Sequence, residues 1–185
     1  MKHFHVYPKV EYSNNVAVNI MVRGKIREKV LNNKCLYYKY RITDDMRPEI
    51  LSYKYYGTPN HVWALYYANN IFDPVVEWPL DTKQFSKYIV SKYGSLQKAS
   101  AEKTEDGKIN YDSIHHYLFI DKTTNLQYEI DKDTFITEGL TNPNAVKAVT
   151  FYDYEYAVNE KKRDIKILDQ TYLTNILNEF YNLFK

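Results

Sequence analysis

The chain has 185 residues, a formal net charge of +2 and one cysteine, Cys35. Near-neutrality argues against a strong polyanion binder, which needs a pronounced basic excess, and a lone thiol excludes an internal disulfide framework, so a reducing compartment is expected. No apolar run approaches the roughly 18 residues of a membrane-crossing helix, and Met1-Lys2-His3-Phe4-His5 is followed by no apolar signal core, so a cytosolic product is expected.

This length suits one domain, or one domain with arms, able to bury roughly 70% of its unfolded surface. Twenty tyrosines against five glycines is an unusual balance. Tyrosine pairs a large apolar body with a polar tip, and such residues gather where surfaces are buried against partners.

Residues 3–12 place Phe4, Val6, Pro8, Val10 and Tyr12 on one side, a short strand that Pro8 confines to an edge or arm. Ser13-Asn14-Asn15 breaks it. Residues 20–31 read as a weak helix, with Ile26 and Val30 one turn apart and Gly24 interrupting. Leu36, Tyr38, Tyr40 and Ile42 alternate with Tyr37, Lys39 and Arg41, a half-buried strand with Tyr38 and Tyr40 inward. Pro48 and Glu49 suit a helix's first turn, and Gly57 suits its left-handed end.

Thr58 and Pro59 open the next helix, whose residues 62–68 are apolar or aromatic all round, as in a helix buried on several sides. Asp81 and Gln84 have capping-box spacing ahead of Phe85, Tyr88, Ile89 and Tyr93, and Gly94 stops that helix. Residues 95–113 are polar and read as an exposed, mobile loop. Residues 114–120 and 126–130 flank a five-residue hairpin loop. Thr141-Asn142-Pro143-Asn144 is a turn, 146–156 is extended with an end that could be helical, and 163–168 is a short strand. Asp169 caps a last helix with a stripe of Leu173, Ile176, Leu177, Phe180, Tyr181 and Phe184.

Catalytic signatures are few. His115 and His116 are adjacent on a strand, so they point to opposite faces and cannot easily share a metal. Cys35 has no motif around it, and the aspartates sit where turns and caps use them. There is no phosphate-cradling glycine loop and no serine nucleophile elbow, so neither enzyme nor cofactor is expected. Tyr37-Tyr38-Lys39-Tyr40-Arg41 interleaves aromatics with cations as stacking platforms do, but the alternation favours a core role over nucleic acid.

Taken in order, "FHVYPKVEY", "NIMVR", "YYKYRITDDMRPEILSYKYYGTPNHVWALYYANNIFDPVVEWPL" and "YEYAVNEKKRDIKIL" resemble the baseplate wedge protein fifty-three family of contractile-tailed, T-even-type bacteriophages. The blocks span most of the chain and are weakest over 95–145. The central block also resembles a LysM domain, with a tyrosine-glycine end to its first helix and a tryptophan in its second.

The resemblance implies an α+β fold: a small LysM-like β-α-α-β core with an extended N-terminal arm, a β-hairpin region and a C-terminal amphipathic helix. The expected segments are 1–35 (arm and short helix), 36–94 (core and third helix), 95–145 (loop and hairpin insertion) and 146–185 (final strands and helix). Gly57, Pro59, Trp63, Tyr66 and Trp78 would define the core. Phe4, Tyr7 and Tyr12 in the arm, and Phe180, Tyr181 and Phe184 in the last helix, would meet partners. Tyr154-Glu155, Asn159-Glu160 and Arg163 would form an internal polar network holding the C-terminal strand.

The implied function is structural, in the virion's tail baseplate after assembly in host cytoplasm. The protein would clamp wedge subunits and adjacent wedges into a six-fold ring through other baseplate wedge proteins, without nucleic acid or membrane. The alternative is a LysM-type module binding peptidoglycan, with loops near Asp44 and Asp73 on the glycan.

Overall fold

The computed structural model describes residues 7–19, 21–22 and 36–182, apart from the side chains of Leu177, Phe180 and Tyr181. The helix expected over 20–31 falls almost wholly outside these residues. The fold is mixed α+β and divides into two compact units, Met1–Pro79 with Lys162–Lys185, and Leu80–Lys161.

The first unit starts with an antiparallel hairpin of β1 (Lys9–Tyr12) and β2 (Asn15–Val18). Its two-residue turn uses Ser13 and Asn14, both at positive φ, 48° and 62°. That backbone matches the strand twist, and asparagine tolerates it. β3 (Tyr37–Arg41) pairs antiparallel with β7 (Asp164–Leu168), Tyr40 opposite Ile165 and Tyr38 opposite Ile167. Between them in sequence come α1 (Pro48–Tyr56), a 3-10 turn (Pro59–His61), α2 (Val62–Asn69) and α3 (Pro74–Glu77).

Gly57 ends α1 at φ 74°, its N–H donating to Tyr53 O at 2.9 Å. Thr58 Oγ1 accepts from Asn60 N at 3.3 Å, so the cap serves the 3-10 turn that precedes α2. α2 buries Trp63, Ala64, Leu65 and Ala68, with Ile165, Ile167 and Leu168 of β7 in the same core. Asn69 locks helix to strand: its amide donates to Lys166 O at 2.8 Å, and its Oδ1 accepts from Lys166 N at 2.7 Å. Trp78 Nε1 donates to Met46 O at 2.9 Å, and Tyr56 OH to Leu168 O at 3.0 Å, so each buried aromatic places its polar tip on a carbonyl. α8 (Gln170–Asn182) adds Leu173 to this core, and Asp169 caps it through Thr171 N at 2.7 Å. A β-α-α-β order is thus present, with its closing strand at Asp164–Leu168; that order alone does not make it a LysM module.

The second unit contains α4 (Thr82–Tyr93), α5 (Leu96–Ser100), β4 (Ile114–Ile120), β5 (Gln127–Ile130), α6 (Lys132–Thr141), β6 (Val146–Thr150) and α7 (Phe151–Lys161). The strands form an antiparallel sheet in the order β5-β4-β6. Phe85, Ile89 and Ala99 make a core with Tyr93, Phe151 and Tyr152 against it. Asn159 pairs with the backbone of Leu80, accepting from its N–H at 2.8 Å and donating to its carbonyl at 3.0 Å.

Asp81 Oδ1 accepts from Gln84 N at 2.7 Å. Asp81→Ala is expected to cost about 1 kcal/mol by exposing that donor, read as a lower urea midpoint with an unchanged slope.

Three expectations are corrected, and a fourth is made definite. Residues 95–113 are not a featureless loop: Ser95 caps α5, Ala99 is fully buried, and Ser113 Oγ donates to the carbonyls of Ala101 and Asn110. One small alanine and a satisfied serine suffice to order a segment that lacks large apolar residues. Helix α6 was not anticipated, because Thr134, Thr137, Gly139 and Thr141 lower its propensity; Asp131 starts it by accepting from Asp133 N and Thr134 N. Residues 146–156 are extended with a helical end, as expected: the strand stops at Thr150, whose hydroxyl accepts from Asp153 N and opens α7. Tyr38 is 55% exposed rather than inward. A two-stranded sheet leaves its end uncovered, and the Tyr38 hydroxyl reaches out to donate to Asp169 Oδ2 at 2.8 Å.

Candidate protein interface

The N-terminal residues divide sharply. Tyr7 is 5% exposed, and its hydroxyl shares a 2.6 Å hydrogen bond with that of Tyr67 on α2. Burial first, then this bond, push the Tyr7 phenol well above the usual tyrosine range. Tyr7 therefore faces this chain. Tyr12, five residues on, is 76% exposed. Every residue of β1 and β2 is exposed, including Val10, Val16 and Val18. The register sets Val10 across from Ala17 and Val16 across from Glu11, so both faces of the hairpin carry apolar groups to solvent. Phe4 and Phe184, and the side chains of Phe180 and Tyr181, lie outside the described residues.

Among the fold-defining positions, Trp63 and Trp78 are buried and Tyr66 is half-buried, edge-on to Trp78 at 6.4 Å. Burial raises the Tyr66 phenol to about 12. Gly57 and Pro59 mark the link between helices.

Sequence reasoning missed a second exposed apolar site. Phe72, Val75 and Val76 project around α3. Glu77 accepts from Asp73 N at 3.0 Å and from Phe72 N, Asp73 accepts from Val75 N, and Lys162 donates to Val76 O at 2.8 Å. These bonds hold a valine pair outward on one rigid turn. The signal was present: a helix of four residues between Asp-Pro and Trp-Pro cannot bury two adjacent valines on one side.

The anticipated polar network is two separate devices. Glu155 and Asn159 belong to the second unit, where Glu155 accepts from Lys92, Tyr93 and Tyr88. Arg163 belongs to the first, where it donates to Asp44 Oδ1 at 2.8 Å and accepts from Ile42 N at the end of the β3–β7 ladder. Arg163 is the member of the anticipated set whose described bonds reach the β3–β7 ladder, beside those that Asn69 and Tyr56 make to β7.

No group of three or more His, Cys, Asp or Glu that could hold a metal occurs among the described residues. His115 and His116 do approach, against expectation: a bulge in β4 between Ile114 and His116 brings their Nδ1 atoms to 2.8 Å, with His115 stacked on Tyr154 at 3.8 Å. Asp121 and Asp131 sit below the usual carboxylate range because backbone and hydroxyl donors of their own turns bind them, and Asp169 does so because Thr171 N and then the Tyr38 hydroxyl bind it. Backbone and hydroxyl hydrogen bonds account for these shifts. No described helix is long and apolar enough to cross a membrane.

Exposed apolar and tyrosine side chains on rigid supports are what a subunit of a larger assembly presents. Two comparisons agree. The chain is 25% identical to the baseplate wedge protein gp53 of Enterobacteria phage T4 over 156 residues, covering 79% of this chain and 72% of that protein. Neither comparison supports the glycan-binding alternative. The family model described as base plate wedge protein 53 matches residues 4–183, and the chain belongs to that family, a structural component of the tail baseplate wedge.

Proposed function

We propose that this protein clamps wedge subunits, and adjacent wedges within a six-fold ring, by burying the β1–β2 hairpin and the C-terminal helix against other baseplate wedge proteins. Its action is binding without turnover, cofactor, nucleic acid or membrane, and it enters the wedge in the host cytoplasm. Phe4, Tyr12, Phe180, Tyr181 and Phe184 are the proposed contacts; Tyr7 anchors the arm from inside. One observation carries this reading: the hairpin is exposed on both faces. A two-stranded hairpin is marginal in water without a surface to pack on. The Tyr7–Tyr67 contact fixes its root and leaves Tyr12 and the valines to a neighbour.

The test is the double variant Tyr12→Ser, Val16→Ser. Its melting curve should match the parent within about 0.5 kcal/mol, because both side chains are in solvent. Co-sedimentation with purified wedge proteins should fall at least about tenfold, since each lost apolar anchor contributes on the order of 1 kcal/mol or more. Undiminished co-sedimentation would remove the hairpin from the interface.

A further inference from the structure

In the second unit, a groove of about 630 Å³ runs between α6 and β6. Phe135, Ile136, Gly139 and Leu140 form the helix wall, Val146 and Ala148 the strand wall, and Ile109 and Tyr111 close one side. Lys132 Nζ lies 3.8 Å from the centre of the Tyr111 ring and ties that side to the start of α6.

Among the described residues β6 is an edge strand, paired with β4 alone. Ile120 N donates to Ala145 O at 2.7 Å, so Ala145 turns its carbonyl toward β4. Backbone direction alternates along an antiparallel strand. Lys147 therefore also faces β4, and the N–H and C=O groups of Val146 and Ala148 point the other way. No described residue bonds them. An open row of donors and acceptors is a template for another strand.

Gly139 is the independent observation. It lies inside α6 with ordinary helical φ, where glycine costs about 1 kcal/mol relative to alanine. A Cβ there would meet Val146 Cγ2 at 3.6 Å, an ordinary contact. The fold does not need this glycine, and its absent side chain widens the groove opposite β6. Leu140 beside it is 83% exposed. Lys147 lies between Val146 and Ala148, so its side chain turns to the other face of the sheet; Lys103 and Glu102 then balance in the lining, which suits a largely apolar occupant.

We propose that this groove binds an extended, largely apolar segment from another baseplate protein, which adds to β6 as a fourth strand and seats side chains against α6. Strand addition of this kind takes affinity from the main chain and specificity from alternate side chains. The site is distinct from the hairpin and rests on the wedge role only for the source of the segment.

The experiment is amide hydrogen exchange on the free chain and on reconstituted wedges containing it, with variants Leu140→Asp and Gly139→Ala. In the free chain, Val146 and Ala148 should exchange fast and Lys147 slowly. In the wedge, Val146 and Ala148 should slow by at least tenfold. Leu140→Asp should leave the free chain's melting unchanged and weaken its uptake at least tenfold. Gly139→Ala should raise thermal stability while lowering uptake, a pairing that a purely structural role would not produce. A wedge that contains the chain with Val146 and Ala148 still exchanging fast overturns the groove and leaves the wedge role standing. Protection that appears instead with self-association of the free chain overturns the proposed occupant in favour of a second copy. A chain that never enters the wedge overturns the clamp and this inference together.

Discussion

Trp63→Ala is expected to destabilise the first unit by about 3–5 kcal/mol and to lower its melting temperature by roughly 10 °C or more. The indole lies on a helix without a polar face, packs edge-on to Tyr67 at 5.9 Å, and shares a core with Leu65, Tyr56 and Ile167. Truncation removes the transfer energy of a large ring and leaves a cavity. Ala64 and Ala68, on the same helix, are too small to refill it. Tyr67 loses its packing partner too, which loosens its bond to Tyr7 and so the root of the hairpin. Wedge uptake should therefore fall together with stability, unlike the hairpin variant, which should lose uptake alone. With two tryptophans in the chain, Trp78 remains as a fluorescent reporter of the same core during urea unfolding. A midpoint equal to the parent's would show that Trp63 is not central to the unit.

What the sequence made legible was its local punctuation. Gly57 and Asp81 act within a few residues of themselves, and their roles follow from backbone chemistry alone. The apolar run at 62–68 also declared its burial. Pairing between distant segments was less visible. β3 finds β7 across more than 120 intervening positions, and nothing in Tyr37–Arg41 names Asp164–Leu168 as its partner. Short or weak elements hid for a different reason. α5 buries one alanine, and α6 is rich in threonine, so neither carries a helical stripe that periodicity can detect.

The interface was legible as a quantity and not as a place. Twenty tyrosines announce buried aromatic surface. Tyr7 and Tyr12 are chemically alike and five residues apart, yet one is sealed against Tyr67 and the other stands in water. Alternation could not separate them, because the arm passes from a packed root to a projecting hairpin. The groove beside β6 had no sequence signal at all, except a glycine inside what proved to be a helix.

Glu155→Ala is expected to cost the second unit about 2 kcal/mol, and Glu155→Gln about 1 kcal/mol. The carboxylate is 9% exposed and joins α7 to α4 through three donors: Lys92 Nζ at 2.6 Å, Tyr93 OH at 2.8 Å and Tyr88 OH at 3.2 Å. Alanine strands the half-buried Tyr93 phenol, while the exposed Tyr88 hydroxyl keeps Lys92 Nζ at 3.0 Å. The loss stays below that of a fully buried pair because Lys92 is half-exposed and can turn to water. Burial alone would raise the Glu155 pKa, but the bonds from Lys92 and Tyr93, the Lys92 charge and the bond from Tyr88 outweigh it and hold it below the ordinary carboxylate value. A depressed folded pKa adds stability that is complete above the unfolded value, about 4.3, and is lost as pH falls through the lower folded value. Urea midpoints of the parent should therefore drop from about pH 4 downward, and those of Glu155→Gln should drop less. Asp121, Asp131 and Asp169 are depressed in both proteins, so their contribution cancels in the difference. Lys92 is raised, chiefly by its bond to Glu155, and its share is lost only as pH climbs beyond the ordinary lysine range. The parent and Glu155→Gln curves should thus converge toward acid; curves that stay parallel from pH 7 to pH 3 would show that the carboxylate's charge does not hold α7 to α4.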